Sequence, residues 1–135
     1  MAMLDWSDSL SVHVEEIDAQ HKSLVGMVNR LYDAMTANHS KQALTEIVND
    51  MREYSEVHFA TEEQYMDRCN YPDRDAHKSE HRDFIAKAAE VERDYRQGKI
   101  SLSMDVLNFL SNWLVTHIND TDKKLGEFLS TQGLD

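Results

Sequence analysis

The sequence is short of residues that interrupt helices. Its 135 residues include four glycines and one proline, Pro72, too little turn chemistry for an architecture of many strands and tight connections. A single cysteine, Cys69, excludes an intrachain disulfide and a cysteine-based zinc finger and fits a reducing, cytoplasmic setting. No apolar run approaches the 18 or so residues of a membrane span. The opening Met-Ala-Met-Leu-Asp-Trp has neither a basic start nor an apolar stretch, so no secretory signal is expected. Positive charge is scarce, 14 Lys and Arg against 25 Asp and Glu for a net −11. That argues against nucleic acid and anionic membranes as partners, since both need a basic face. What the chain does have is 41 % apolar residues, enough for a core, and seven histidines.

Apolar residues recur at steps of three and four, the period of an amphipathic helix. One stripe holds Leu24, Val25, Val28, Leu31, Tyr32 and Met35; it follows Asp18 as N-cap and ends near Asn38-His39-Ser40. A second holds Leu44, Ile47, Val48, Met51, Ser55, His58, Glu62, Tyr65 and Met66, and stops before Asn70-Tyr71-Pro72. A third holds His77, His81, Phe84, Ile85, Ala88, Val91 and Tyr95, with Gly98 closing it. The fourth holds Val106, Leu107, Leu110, Trp113, Leu114 and His117, with Ser103 as a cap. The expected fold is all-α, an antiparallel up-down-up-down four-helix bundle with an N-terminal arm. Residues 1–135 form one domain: an arm over 1–17 whose Trp6 packs on the bundle, helices near 19–38, 41–67, 73–97 and 103–118, and a short C-terminal helix near 121–129. Gly26, inside the first helix, costs about 1 kcal/mol against alanine and is expected to permit close packing.

Polar residues stand in stripe positions that should be apolar. His58 and Glu62 are four residues apart, about 40° around one helical face, and His77 and His81 repeat the spacing. His21 falls in register with Leu24 and Val28, and His117 with Leu110 and Trp113. A lone inward histidine is more often a hydrogen-bonded core residue, and one His-x3-Glu or His-x3-His pair is a common coincidence. The joint pattern is different. Five inward imidazoles and a carboxylate would each cost a few kcal/mol in desolvation if left unpaired, and a metal centre relieves all of these costs together. Antiparallel packing brings all these positions to one level of the bundle. Asp122 follows His117 by five residues, about 140° on an ideal helix. Spacing alone leaves it a solvated carboxylate unless the helix bends or breaks near Asn119-Asp120-Thr121. His13 and His39 have no stripe and are read as solvent-facing.

The order of these residues resembles the hemerythrin family, and specifically the bacteriohemerythrins. The resemblance rests on Ile-Asp-Ala-Gln-His21-Lys, His58-Phe-Ala-Thr-Glu62, His77-Lys-Ser-Glu-His81 and Trp113-Leu-Val-Thr-His117-Ile-Asn-Asp-Thr-Asp122, spread along nearly the whole chain. It implies two iron ions, one held by His77, His81 and His117, the other by His21 and His58. Glu62, Asp122 and an oxo or hydroxo group would bridge them, so that Asp122 becomes a ligand. It also implies an apolar oxygen pocket formed by Phe59, Met66, Trp113, Leu114 and Ile118, positions that equally suit ordinary core. Five imidazoles and two bridging carboxylates make nine bonds, and the bridging oxygen two more. Two six-coordinate ions need twelve, which leaves one position for dioxygen on the ion with two histidines.

The expected function is reversible dioxygen binding at a non-haem di-iron centre, for carriage, storage or sensing, and not enzymatic turnover. Related domains occur both as free short proteins and within larger signalling receptors. A di-iron oxidase or peroxidase using the same ligands is the alternative, and a helical module holding zinc or nothing is a third reading. The di-iron carboxylate enzymes place Glu-x-x-His on two helices; no histidine here has a glutamate three residues before it. An imidazole-rich set suits late divalent metals and favours ferrous iron.

Overall fold

Each rod ends where the sequence supplies a residue that can leave the helix. In the computed structural model, which describes residues 4–37, 41–99 and 104–133, α1 spans Glu15–Thr36, α2 Lys41–Arg68, α3 Arg74–Arg96 and α4 Met104–Thr116. After α2, Asn70 takes φ 53° and Tyr71 N–H returns to Met66 O at 2.9 Å. After α3, Gly98 takes φ 75°, and Gly98 and Lys99 N–H reach Tyr95 and Asp94 O. Both are left-handed stops that satisfy the last carbonyls of a helix. The loop residues Asn38, His39 and Ser40, and the proposed cap Ser103, lie outside the described residues.

The helices form an antiparallel bundle in which α1 packs on α2 and α4, and α2 on α3. Its core has two parts. Leu24, Val28 and Leu31 of α1 meet Ile47, Val48 and Met51 of α2, Phe84 and Ala88 of α3, and Leu107, Leu110 and Leu114 of α4. The second cluster joins Val12, Val14 and Ile17 to Met66, Tyr71, Leu125 and Leu129. On every rod the inward histidines fall between the residues of these two clusters, so the polar layer is closed above and below by apolar side chains. Away from that layer, Arg52 of α2 reaches across to the buried Glu92 of α3 at 2.6 Å, and Arg96 also holds Glu92 at 2.9 Å.

The C-terminal rod does not break at Asn119-Asp120-Thr121. It runs on from α4 through a π-helical stretch, His117–Asp122, into α5, Lys123–Thr131, with helical dihedrals at Thr116 and Asp122. The wider i→i+5 turn returns a five-residue step toward the same face, so Asp122 joins His117 inside.

Two further expectations change. Asp18 is not an N-cap: α1 starts earlier, with Val14 in the cap position, and the Asp18 carboxylate accepts Val12 N–H at 2.8 Å and Ser11 Oγ–H at 2.6 Å. The arm is therefore latched to α1. It is also built into the protein, because Leu10, Val12 and Val14 are buried, and Leu4 exchanges two backbone hydrogen bonds with the Asn29 side chain. Trp6 packs against the core with Lys22 Nζ over its ring. Gly26 permits no close approach, since a Cβ there would meet nothing within 4 Å; at Gly126 a Cβ would lie 2.3 Å from Val12 O.

Gly126→Ala must push the arm backbone off α5 and is expected to cost about 1–3 kcal/mol. Gly26→Ala is expected to stabilise by about 0.5–1 kcal/mol through helix propensity and a less flexible unfolded chain. Denaturant midpoints of the two variants check the contrast, and equal shifts would contradict it.

Candidate metal centre

Seven side chains converge at the level between the two apolar clusters: His21 from α1, His58 and Glu62 from α2, His77 and His81 from α3, and His117 and Asp122 from the π-helical stretch. All are buried, Glu62 completely and Asp122 to within 1 %. Their donor atoms form two overlapping groups. One comprises His77, His81, His117, Glu62 and Asp122; the other comprises His21, His58 and the same two carboxylates.

The division runs through the carboxylates themselves. Glu62 Oε1 lies 3.3 Å from His77 Nε2, 2.9 Å from His81 Nε2 and 3.8 Å from His117 Nε2, whereas Oε2 lies 3.4 Å from His21 and 3.2 Å from His58. Asp122 Oδ1 is 3.0 Å from both His77 and His117, and Oδ2 is 2.9 Å from His21. Each carboxylate thus offers one oxygen to each group of imidazoles.

Glu62 Oε1 meets His77 Nε2 and His81 Nε2 in hydrogen-bonding geometry, but other atoms of the cluster are close without being bonded. His21 Nε2, Glu62 Oε2 and both Asp122 oxygens have no hydrogen bond of acceptable geometry, although charged partners stand within 3.4 Å. His81 Nε2 and His117 Nε2 face each other at 3.2 Å, two ring nitrogens competing for one proton. Lone pairs that miss their neighbours and share a common direction suit a cation at the point where they meet. The residues therefore fit a pair of divalent metal ions by donor type, by burial and by the atoms left unsatisfied.

The opposite ring nitrogens explain the orientation of three histidines. His58 Nδ1 donates to Gln20 Oε1 at 2.7 Å, His81 Nδ1 to Glu63 Oε2 at 3.0 Å, and His117 Nδ1 to Glu80 Oε1 at 3.0 Å. Each bond fixes the tautomer that leaves Nε2 free to face inward. Thr121 also donates to Glu80, at 2.8 Å. Sequence reasoning missed Gln20, Glu63, Glu80 and Thr121. Their signal was adjacency, because each flanks an inward residue of its own helix while serving a neighbouring one.

The apolar residues named for the pocket divide in two. Phe59 stacks on His81 with centroids 4.0 Å apart and stands 5.7 Å from His58; Trp113 stacks on His117 at 4.5 Å and leans on Phe84. Leu114 and the fully buried Ile118 belong to the first apolar cluster. Met66, also fully buried, belongs to the second cluster with Tyr71 and the arm. His13 is exposed with φ 62°, and Cys69 is half-buried; His39 lies outside the described residues.

Burial opposes charge on His21, His77, His117, Glu62 and Asp122, and opposite charges overcome it. Burial lowers His21, but Asp122 and Glu62 reverse the effect and raise it to about 9. The same balance raises His77 to about 9, and His117, on which the Asp122 charge is the strongest upward influence, to about 11. Burial pushes Glu62 upward and the imidazolium charges, His58 foremost, pull it well down; Asp122 is lowered in the same way against both burial and the Glu62 charge. Without metal, protons on imidazoles balance the carboxylates. The raised histidines then stabilise the fold fully below their ordinary 6.5 and lose that contribution as pH climbs through 9. The lowered carboxylates stabilise above their ordinary 4.5 and 3.8 and lose theirs in acid.

Metal binding must displace those protons. Loading the metal-free protein with a divalent cation at pH 8 is expected to release about two to three protons per chain, from His21, His77 and His117. Ordinary histidines would release almost none there. Titration in an unbuffered cell measures the release, and its absence would contradict the charge balance.

A model of the hemerythrin HHE cation-binding domain matches residues 12–129. A bacteriohemerythrin of Stenotrophomonas maltophilia is 35 % identical over 123 residues, covering 91 % of this chain and 79 % of that protein. One of Methylococcus capsulatus is 33 % identical over 132 residues, covering 96 % and 99 %. The crystal structure of a wild-type hemerythrin superposes with a TM-score of 0.90 at 31 % identity, covering 96 % of this chain and 99 % of that one. With the family's domain matched along most of this chain and the fold reproduced, the chain belongs to the hemerythrin family.

Proposed function

We propose that the protein binds dioxygen reversibly at a non-haem di-iron centre, for carriage, storage or sensing. The observation that carries this reading is the sharing of Glu62 and Asp122, one oxygen each, between a three-histidine and a two-histidine group. In it His77, His81 and His117 would hold one iron, His21 and His58 the other, and Glu62 and Asp122 would each offer an oxygen to both. When bound, the two ferrous ions supply the electrons for capturing dioxygen at the one position that the chain's donors leave open.

The chain's own residues contribute three things to that chemistry. The imidazoles outnumber the carboxylates five to two, a nearly neutral donor set that favours the ferrous state and reversible binding over strongly oxidising turnover. This supports an oxygen-binding protein and not an enzyme. Gln20, Glu63 and Glu80 hold three rings in place through Nδ1. Phe59, Leu114 and Ile118, with Met66 and Trp113, surround the site with apolar surface that keeps water from the captured gas. Residues 1–135 act in this reading as one hemerythrin-like domain. No described helix is long and apolar enough to cross a membrane. A cytoplasmic location fits the lone cysteine.

Anaerobically reduced, iron-loaded protein opened to air is expected to develop a visible charge-transfer band that fades under vacuum and returns with air. A colourless protein, or irreversible oxidation with turnover of peroxide or an organic substrate, would contradict the reading.

A further inference from the structure

The five imidazoles differ in what stands behind them. In the three-histidine group, two rings donate to carboxylates: His81 to Glu63, which is 34 % exposed, and His117 to Glu80, which is 46 % exposed. In the two-histidine group, His58 donates to the neutral amide of Gln20, and His21 Nδ1 has no hydrogen-bond partner. Two negative charges therefore back one metal position and none backs the other.

An imidazole whose N–H is held by a carboxylate carries more electron density at its other nitrogen than one held by an amide, because the ion-assisted bond draws the proton away from the ring. The effect reaches only the ring that makes the bond. It should strengthen Nε2 of His81 and His117 and leave His58 and His21 as weaker donors. We infer that Glu63 and Glu80 are charged positioning residues that make the three-histidine position the tighter of the two, so that the positions fill in order and the two-histidine position is the more weakly held. The inference rests on the two-ion reading above. The third histidine acts in the same direction, so the contribution of charge has to be isolated by substitution. Glu→Gln keeps an acceptor oxygen and removes only the charge.

The test is a titration of the metal-free full chain with cobalt(II), read by its ligand-field absorption. Wild type is expected to bind two ions in separate steps. Glu63→Gln and Glu80→Gln should each weaken the first step by about tenfold, the lower end for outer hydrogen-bond partners because both carboxylates are partly screened, while the second step stays within about twofold. The loss should shrink in about 1 M salt, where the Debye length falls to about 3 Å. Gln20→Glu, which adds the charge behind His58, should tighten the second step and so tests the idea from the opposite side. Glu90→Gln, which removes an exposed charge from α3 outside the metal layer, should leave the first step unchanged. Gln variants that bind like wild type, or that weaken both steps together, would overturn the inference. So would a Glu90→Gln effect equal to that of Glu80→Gln. Fewer than two ions in wild type would instead overturn the two-ion reading beneath it.

Discussion

Two carboxylates and five imidazoles cannot stay buried in an apolar bundle unless something balances them. Desolvating an ionised group without a partner costs several kcal/mol even after a protein relaxes around it, and Glu62 and Asp122 are both fully enclosed. The side chains around them form only part of a hydrogen-bonded network. Four of the central atoms have no acceptable bond, although their neighbours lie within 3.4 Å. Protons on His21, His77 and His117 balance the charge in the absence of metal. A pair of divalent cations balances it with every lone pair engaged, and that need organises the rest of the molecule.

The fold can be read as the solution to holding those donors at one level. Apolar clusters above and below insulate the layer. The arm, latched through Asp18 and seated on Gly126, closes the lower cluster. The π-helical stretch turns Asp122 inward beside His117 without breaking the rod. The outer hydrogen bonds step around the bundle: Gln20 of α1 serves His58 of α2, Glu63 of α2 serves His81 of α3, and Glu80 of α3 serves His117 beyond α4. Each helix thereby orients a histidine on the next one, and ligand geometry is tied to helix packing.

Much of this was legible in the chain. The 3.6-residue period located the helices, and the histidines interrupting it located the polar layer, because five imidazoles in core registers, unlike one alone, call for a shared partner. Asp122 was not legible from spacing, since an ideal helix turns it away; only the family order implied its place, and the wider turn supplies the reason. Asp18 misled because an acidic residue ahead of an apolar stripe matches an N-cap signature, whereas here it secures the arm one turn into the helix. Gly26 and Gly126 are chemically identical, and only tertiary contact separates the exposed one from the one touching Val12. Glu63 and Glu80 were missed because their role depends on a neighbouring helix.

The most direct test of the central claim is anomalous diffraction at the iron edge from crystals of the iron-loaded protein. Two iron peaks per chain are expected, one among His77, His81 and His117 and one between His21 and His58, with Glu62 and Asp122 contacting both. A single peak, or iron bound away from these seven side chains, would contradict it.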